Sequence, residues 1–479
     1  MNFSASRSLR VSAILLVLLL AGGGLFLGLR SRGAARHPNI VVFVWDTCRA
    51  DRLSAYGYPL PTTPRLEAFA RGAVTFRHAY APAPWTPPSH ASLFTGLIPA
   101  HHGLTQREEA EEGRVRAGLP LLAETLAAAG YDTVGFTCNA SISRATHLDR
   151  GFRMMHGLYL GEPVKGSGEK ARRAVADWLA SRKTGAGGGD RPLFLFVNLM
   201  DAHIPRTPTA ESVAAVRDPG VPDADLERAA GISERDVFVH SLGIRRQDGP
   251  TLAAARTLYD AACRDLDSST GAILDLLEAD GLLRGALVAI TADHGESLGE
   301  HGEMGHRMSV YDPLLHIPLV VRWPGRLDGG RSEEGQVRLQ DLYPTILEAA
   351  GVAVPAGNGL DVASLLPRPV SGRPAVAAFD RTKVTPAQLR VLLPGAPGSV
   401  LGLFGLTHIA AQDPVGTPGA RKYIRVLREG DDGRVSLERE ELYDLAADPG
   451  EARNLLAPGG PPDARAAADR LLPLAETGR

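Results

Sequence analysis

Four short apolar runs, each followed by a polar residue, constrain the fold of this chain most strongly. The runs cover residues 39–45, 131–137, 193–199 and 286–291. They predict buried parallel strands, and the helical or loop stretches between them predict helices on both faces of the sheet. The polar residues that follow are Asp46, Asn139, His203 and Asp293. Because binding sites in such sheets form outside the carboxyl ends of the strands, we expect these four side chains at one edge.

The predicted fold class is therefore α/β, with a mostly parallel central sheet and a small C-terminal antiparallel α+β subdomain. A chain of 479 residues, 44% hydrophobic and 22% charged, can bury the core of a large globular domain with an appendage. Turn residues at 430–433 predict an antiparallel pair within 422–444. Residues 206–250 are typical of a surface insertion, and helices are expected over 252–283 and 342–350. We predict three parts, covering residues 1–36, 37–370 and 371–479.

The N-terminal segment predicts a membrane anchor. An apolar run covers residues 11–29, with arginines on both sides of it. As a helix, about 19 residues rise roughly 28 Å, close to the thickness of a bilayer core. An uncleaved anchor, with the catalytic domain outside the cytoplasm, is favoured over a cleaved signal of an exported or periplasmic protein, because a small-residue cleavage site is lacking.

Charge and cysteine content argue against three classes of protein. The net charge of −2 gives no excess of positive charge for binding nucleic acid. The three cysteines are too few and too scattered for a disulfide framework or a thiolate metal site.

Two segments place oxygen ligands near a predicted strand end or helix start. In VWDTCRADR (44–52), Asp46 can bind a hard cation or cap a helix. In WTPPSHASLFTG (85–96), two prolines predict a helix starting near Pro88, so the Thr86 hydroxyl faces free backbone N–H groups. Thr86 is then either an ordinary cap or a nucleophile, and a nucleophilic threonine needs a cation or base beside it.

The segment ITADHGE (290–296) predicts metal ligands, because Asp293 and His294 can both bind one ion at the end of a strand. Downstream, His306 can bind an anionic substrate or protonate a leaving group. His203 is a candidate general acid or anion contact, with a structural histidine as the alternative. Asn139 is a weaker candidate for substrate binding.

Together these segments resemble the sulfatase family within the alkaline phosphatase superfamily. The resemblance extends from about Pro38 to Leu456 and includes YDPLLHIPLVVRWPG, QDLYPTILEAAG and ELYDLAADPGEARNLL. It implies an alkaline phosphatase-like fold and a metal-dependent ester hydrolase. It also implies metal ligands at Asp46, Asp293 and His294, a nucleophile at Thr86, and an anion pocket lined by His90, His203 and His306.

The chain departs from the usual sulfatase pattern at the nucleophile. The formylglycine-forming enzyme reads Cys/Ser-x-Pro-x-Arg, whereas this chain has Thr86 at the nucleophile and His90 in place of the arginine. No formylglycine is therefore expected. Thr47 replaces the second Asp of the family's pair, and His306 replaces the pocket lysine. By the resemblance, Thr47, His90 and Asn139 are assigned to substrate binding. In having a threonine at the nucleophile position, the chain resembles relatives that transfer phosphoryl groups. These relatives are phosphoethanolamine transferases, lipoteichoic acid synthases and nucleotide pyrophosphatase/phosphodiesterases.

These residues predict one divalent metal ion held by Asp46, Thr86, Asp293 and His294, with Zn²⁺ or Mn²⁺ favoured and Ca²⁺ possible. Thr86 attacks a phosphate or sulfate ester, the phosphoester being favoured, and His203 or His306 protonates the leaving group. The substrate is a small-molecule, lipid or glycan ester. The alternatives are a phosphoethanolamine-type transferase at a membrane surface and a non-catalytic metal-binding relative.

Overall fold

A nine-stranded mixed sheet forms the centre of the fold. The computed structural model describes residues 37–105, 113–160, 166–183, 191–355, 361–366, 372–380, 402–430 and 434–478. The strands within these ranges are β1 (Ile40–Trp45), β2 (Val74–Tyr80), β3 (Asp132–Thr137), β4 (Met154–Gly157), β5 (Leu193–Leu199), β6 (Leu287–Ala292), β7 (Ser297–Leu298), β8 (Met304–Gly305), β9 (His316–Arg322), β10 (Arg331–Glu333), β11 (Val337–Arg338), β12 (Ala375–Phe379), β13 (Leu406–Gln412), β14 (Lys422–Glu429) and β15 (Val435–Tyr443). The order in the large sheet is β10-β2-β9-β6-β1-β5-β3-β4, with β11 also paired to β2.

The four predicted strands are confirmed as β1, β3, β5 and β6, which lie side by side and parallel. Among the described strands of the large sheet, β9 alone runs antiparallel to both of its neighbours, β2 and β6. Trp45, the last residue of β1, is level with Leu199 and Ala292, the last residues of β5 and β6. Since these strands end together, the residues that follow them meet at one edge of the sheet.

Helices cover the sheet and form the insertion. Within the described residues they are α1 (Pro64–Ala70), α2 (Thr86–Thr95), α3 (Pro99–His102), α4 (Leu122–Ala128), α5 (Ser167–Ser181), α6 (Ala210–Val216), α7 (Asp223–Ala230), α8 (Glu234–Ser241), α9 (Gly249–Ala279), α10 (Asp312–Leu315), α11 (Leu342–Ala349) and α12 (Ala464–Thr477). The predicted insertion contains α6, α7 and α8, and the two helices predicted after it are α9 and α11. Every residue of α2 is buried, so this helix belongs to the core although it begins beside the candidate site.

The predicted C-terminal antiparallel unit is confirmed as a four-stranded sheet in the order β12-β13-β14-β15. Its strands all pair antiparallel, and apolar residues of α12 pack against β13 and β14 in a core of their own. The predicted turn at 431–433 lies outside the described residues. Residues from Asn39 onward form one compact unit, and the boundary near residue 370 stays a prediction.

The membrane location predicted from the sequence is corrected. Spanning a bilayer needs about 20 consecutive apolar residues in one helix. No helix among the residues that the structure describes is long and apolar enough. The longest of them, α9 with 31 residues, alternates buried apolar positions with charged ones. The run at residues 11–29 lies outside the described part of the chain. Anchoring with a catalytic domain outside the cytoplasm, and the membrane as a partner, are therefore not supported.

Candidate active site

Three ligand atoms converge where β1 and β6 end. Asp46 directly follows β1, and Asp293 and His294 directly follow β6. One ligand atom from each of the three residues lies within 4.8 Å of the other two. His294 Nδ1 donates a hydrogen bond to the Gly295 carbonyl at 2.9 Å, which leaves Nε2 as the nitrogen with a lone pair. That nitrogen lies 3.8 Å from Asp46 Oδ1 and 3.4 Å from Asp293 Oδ2.

The electrostatics of these three residues fit a divalent cation. Asp46 Oδ1 and Asp293 Oδ2 are buried and lack hydrogen-bond partners in the described structure. Burial, and then the neighbouring Asp46, raise the pKa of Asp293 well above its usual value. Burial lowers the pKa of His294 to about 3, so its imidazole is neutral. Two adjacent buried carboxylates and a neutral imidazole are an unfavourable set unless a cation binds between them. Their mixed oxygen and nitrogen donors suit Zn²⁺ or Mn²⁺.

Thr86 lies beside this cluster at the start of α2. Its Oγ1 is 3.4 Å from Asp46 Oδ2 and 3.4 Å from His294 Nε2. The helix begins at Thr86 rather than near Pro88, and Trp85 is the N-cap residue. The hydroxyl is therefore not an ordinary helix cap, and its position leaves it facing the three ligands.

Asn139, the weakest candidate from the sequence, contacts both Asp46 and Thr86. Its Nδ2 donates to Asp46 Oδ2 at 2.7 Å and to Thr86 Oγ1 at 3.2 Å. Although burial acts to raise the pKa of Asp46, electrostatic interaction with the His203 and His294 rings and the Asn139 hydrogen bond hold that pKa below its usual value. Asn139 thus fixes one carboxylate oxygen of Asp46 and leaves the other for a cation.

His90 and Thr47 lie close to the same carboxylates. His90, one helical turn after Thr86, has its Nδ1 3.0 Å from the Thr86 carbonyl and 3.4 Å from Asp293 Oδ2. The Thr47 hydroxyl bonds the Asp46 carbonyl at 2.7 Å, while its backbone N–H donates to Asp293 Oδ1 at 3.3 Å. Thr47 has a φ of 59°, a strained value for a β-branched residue. Both residues contact the ligand residues, and their assignment to substrate binding stays a prediction.

The imidazole rings of His294, His306 and His203 lie next to one another in that order beside the cluster. The ring centroids are 4.7 Å apart for His294 and His306, and 5.1 Å apart for His306 and His203. His203 Nδ1 bonds the Ile204 carbonyl at 2.6 Å. His306 Nδ1 lies 3.2 Å from Glu296 Oε1. In both rings Nδ1 is engaged, so Nε2 is the nitrogen that these contacts leave open.

The sequence did not single out Glu296 and Arg206, which support these rings. Arg206 donates to Glu296 Oε2 at 2.8 Å, with exposed side-chain fractions of only 5% and 1%. Arg206 also donates from Nε to the Ala202 carbonyl at 2.8 Å. Glu296 therefore links His306 to Arg206. Its place at the end of ITADHGE was a usable signal, whereas nothing in the sequence around Arg206 indicated the contact.

Known proteins are similar to this chain in sequence and in structure. The sequence model of the Sulfatase family matches residues 38–352. Arylsulfatase A of Homo sapiens is 28% identical over 455 residues, which are 88% of this chain and 84% of that protein. A solved 2-O GAG sulfatase has a TM-score of 0.68 at 19% identity, covering 92% of both chains. The phosphonate monoester hydrolase of Agrobacterium radiobacter has a TM-score of 0.67 at 21% identity, covering 92% of this chain and 96% of that one. At these identities the two solved structures establish a shared fold.

Proposed function

We propose that this chain, which belongs to the sulfatase family and is an ester hydrolase, hydrolyses phosphoesters. Thr86 is the nucleophile of the proposed reaction, and one divalent metal ion binds at the site. The fold itself does not choose between ester types, since it is shared by a sulfatase and a phosphonate monoester hydrolase. The choice rests on the residues at the site.

The position of the Thr86 hydroxyl carries the proposal. It lies 3.4 Å from an oxygen of Asp46 and 3.4 Å from the lone-pair nitrogen of His294. A threonine hydroxyl is a weak nucleophile in water and needs a neighbouring group that favours its deprotonated form. Asp46, Asp293 and His294 would hold a divalent cation, which would lower the pKa of a neighbouring hydroxyl and withdraw charge from an ester oxygen.

The reaction has two displacements. Thr86 loses its hydroxyl proton to solvent, and its oxygen attacks phosphorus while the bond from phosphorus to the leaving oxygen breaks. His203 or His306, protonated on Nε2 as well as on Nδ1, donates the Nε2 proton to that leaving oxygen. Water then attacks the phospho-threonine and gives a proton back to the same histidine, the bond from Oγ1 to phosphorus breaks, and Thr86 regains a proton from solvent. Asn139 positions Asp46 and Thr86 relative to each other through its two hydrogen bonds.

Threonine also favours phosphorus over sulfur. It cannot form the aldehyde hydrate of formylglycine, whose sulfate adduct breaks down through a hemiacetal. A sulfate ester of Thr86 would need slow attack of water on sulfur. A phosphate ester of Thr86 is released by ordinary in-line displacement.

The test is turnover of aryl sulfate, aryl phosphate monoester and diaryl phosphate by the full chain with Zn²⁺, Mn²⁺ or Ca²⁺ added in turn. We expect phosphoester turnover, its loss in Thr86→Ala, partial retention in Thr86→Ser, and a phosphate adduct on residue 86 by mass spectrometry. Aryl sulfate turnover that survives in Thr86→Ala would refute Thr86 as nucleophile. Metal binding without turnover of any of the three esters would instead favour a non-catalytic relative.

A further inference from the structure

An apolar pocket opens beside the two histidines that are the candidate proton donors. His203 and His306 line one side of it. The apolar side chains of the lining are Ile204, Val237, Phe238, Met304 and Met308. Of the charged members, Glu234 is exposed, Arg307 is partly exposed, and Glu296 is engaged by His306 and Arg206. The space next to the histidines is therefore bounded mainly by hydrocarbon and thioether groups.

The inserted helix α8 supplies one wall of this pocket. Val237 on α8 packs with Ile204 and Met304 in a buried cluster. A Cβ atom at Gly305, whose φ is +82°, would lie 2.5 Å from Val237 Cγ1, so the helix rests directly on the backbone of β8. Ser241 Oγ also donates to the Met304 carbonyl at 2.8 Å and accepts from the Met304 N–H at 2.8 Å. These contacts fix the helix, and with it the shape of the pocket.

We propose that this pocket binds an apolar aryl or alkyl group on the leaving oxygen of the substrate. The inference rests on the proposed function, since it needs His203 or His306 to face the leaving oxygen. The group attached to that oxygen then enters the pocket that the two histidines line. A polar or charged group there would lose its hydration without gaining partners from the apolar lining. The two methionines can adjust to groups of different shape.

The first test uses 4-methylphenyl, 4-propylphenyl and 4-(hydroxymethyl)phenyl phosphates, with the corresponding aryl sulfates in parallel. The three phenols have nearly equal acidity, so differences in rate report contacts of the leaving group. Each buried methylene is worth roughly fourfold in affinity, so we expect kcat/KM to rise about 15-fold from methyl to propyl. The hydroxymethyl ester should react more slowly than the methyl ester. Equal kcat/KM values for all three esters would overturn the inference.

Two variants test the residues of the pocket. Val237→Thr preserves the shape of the side chain and adds a hydroxyl, and Met308→Gln adds an amide at similar length. Each should reduce the advantage of the propyl ester by fivefold or more. Val239→Thr is the matched control, because Val239 is on the same helix and does not line the pocket. An unchanged preference for propyl in both pocket variants would place the apolar group elsewhere.

A binding measurement separates failure of this inference from failure of the proposed function. Calorimetry with 4-propylphenol on the full-length Thr86→Ala protein requires no turnover. Binding that is weakened by Val237→Thr and unaffected by Val239→Thr supports the pocket even if none of the esters reacts. Turnover of the esters without binding of 4-propylphenol refutes the pocket and leaves the proposed function standing.

Discussion

Replacing Glu296 by alanine should destabilise the protein strongly, because it leaves Arg206 buried without its partner. The exposed side-chain fractions of Arg206 and Glu296 are 5% and 1%, and the charged atoms are 2.8 Å apart. Removing one member of such a pair costs about 3–5 kcal/mol, since the remaining charge is neither hydrated nor compensated. Glu296→Gln should cost less, about 1–3 kcal/mol, because one amide oxygen can still accept from either Arg206 or His306.

Urea unfolding at fixed pH measures these free energies. Glu438→Ala is the matched control, because Glu438 pairs with Arg428 at 2.9 Å on the surface, with side chains 40% and 36% exposed. Such surface pairs contribute about 0–1 kcal/mol. The double variant Arg206→Met/Glu296→Leu should recover most of the loss, since it removes both buried charges together. A Glu296→Ala protein that unfolds at the same urea concentration as the wild type would show that the pair is not buried as described.

The same variants separate positioning from stability. Glu296 holds His306 through its Nδ1, so the loss of Glu296 frees the ring that the proposed mechanism places at the leaving oxygen. Positioned proton donors contribute about 10²–10⁴-fold, and most for poor leaving groups. Glu296→Gln should therefore slow alkyl esters far more than nitrophenyl esters. A uniform loss across leaving groups would indicate a purely structural role for Glu296.

Three further predictions follow from buried charges. With a chelator present, Asp293→Asn should raise the melting temperature, because it removes one of two adjacent buried carboxylates. Added Zn²⁺ should stabilise only the wild type, so that the wild type then has the higher melting temperature. Burial raises the pKa of Asp267 to about 7, so its contribution to stability is present below about pH 4 and is lost as the pH rises to about 7. In Asp267→Asn this loss, up to about 1.4 kcal/mol per pH unit in urea unfolding, should disappear. Lys422→Met should cost about 3–5 kcal/mol in the same assay, because Lys422 Nζ is 2.7 Å from the fully buried Glu451.

The strands that carry the site could be predicted because both of their faces are buried. The run 193–199 matches β5 (Leu193–Leu199), and all seven of its residues are buried. A strand of this kind needs only apolar side chains, so its limits are visible as a run. Strand β2 was not predicted, because Arg77 and His78 interrupt it where the structure has an irregular register against β9. The pairing of a strand with partly exposed positions depends on its neighbour, which the local pattern does not contain.

Some residues of the site could likewise be predicted from their place in the sequence, and others could not. Asp46, Asp293 and His294 follow strands whose ends are level, so the position of each in the sequence fixes its position at the edge. Asn139 also follows a strand, but its two hydrogen bonds depend on the loop after β3, so it was only a weak candidate before the structure was known. The pairing of Arg206 with Glu296 joins residues 90 positions apart through side chains alone. No spacing rule connects them.

The candidate metal site and the pocket are held in place by different parts of the fold. The candidate metal ligands follow strands in the middle of the sheet, where register and burial hold them. Val237, at the pocket, lies on a short helix of the insertion and is placed by packing on Gly305. Substitutions on α8 can therefore change the group that the pocket accepts while the positions of Asp46, Asp293 and His294 remain the same. Metal affinity of the Val237→Thr protein should accordingly equal that of the wild type, measured by Zn²⁺ titration. A large loss of affinity in that variant would show that the insertion and the metal site are not independent.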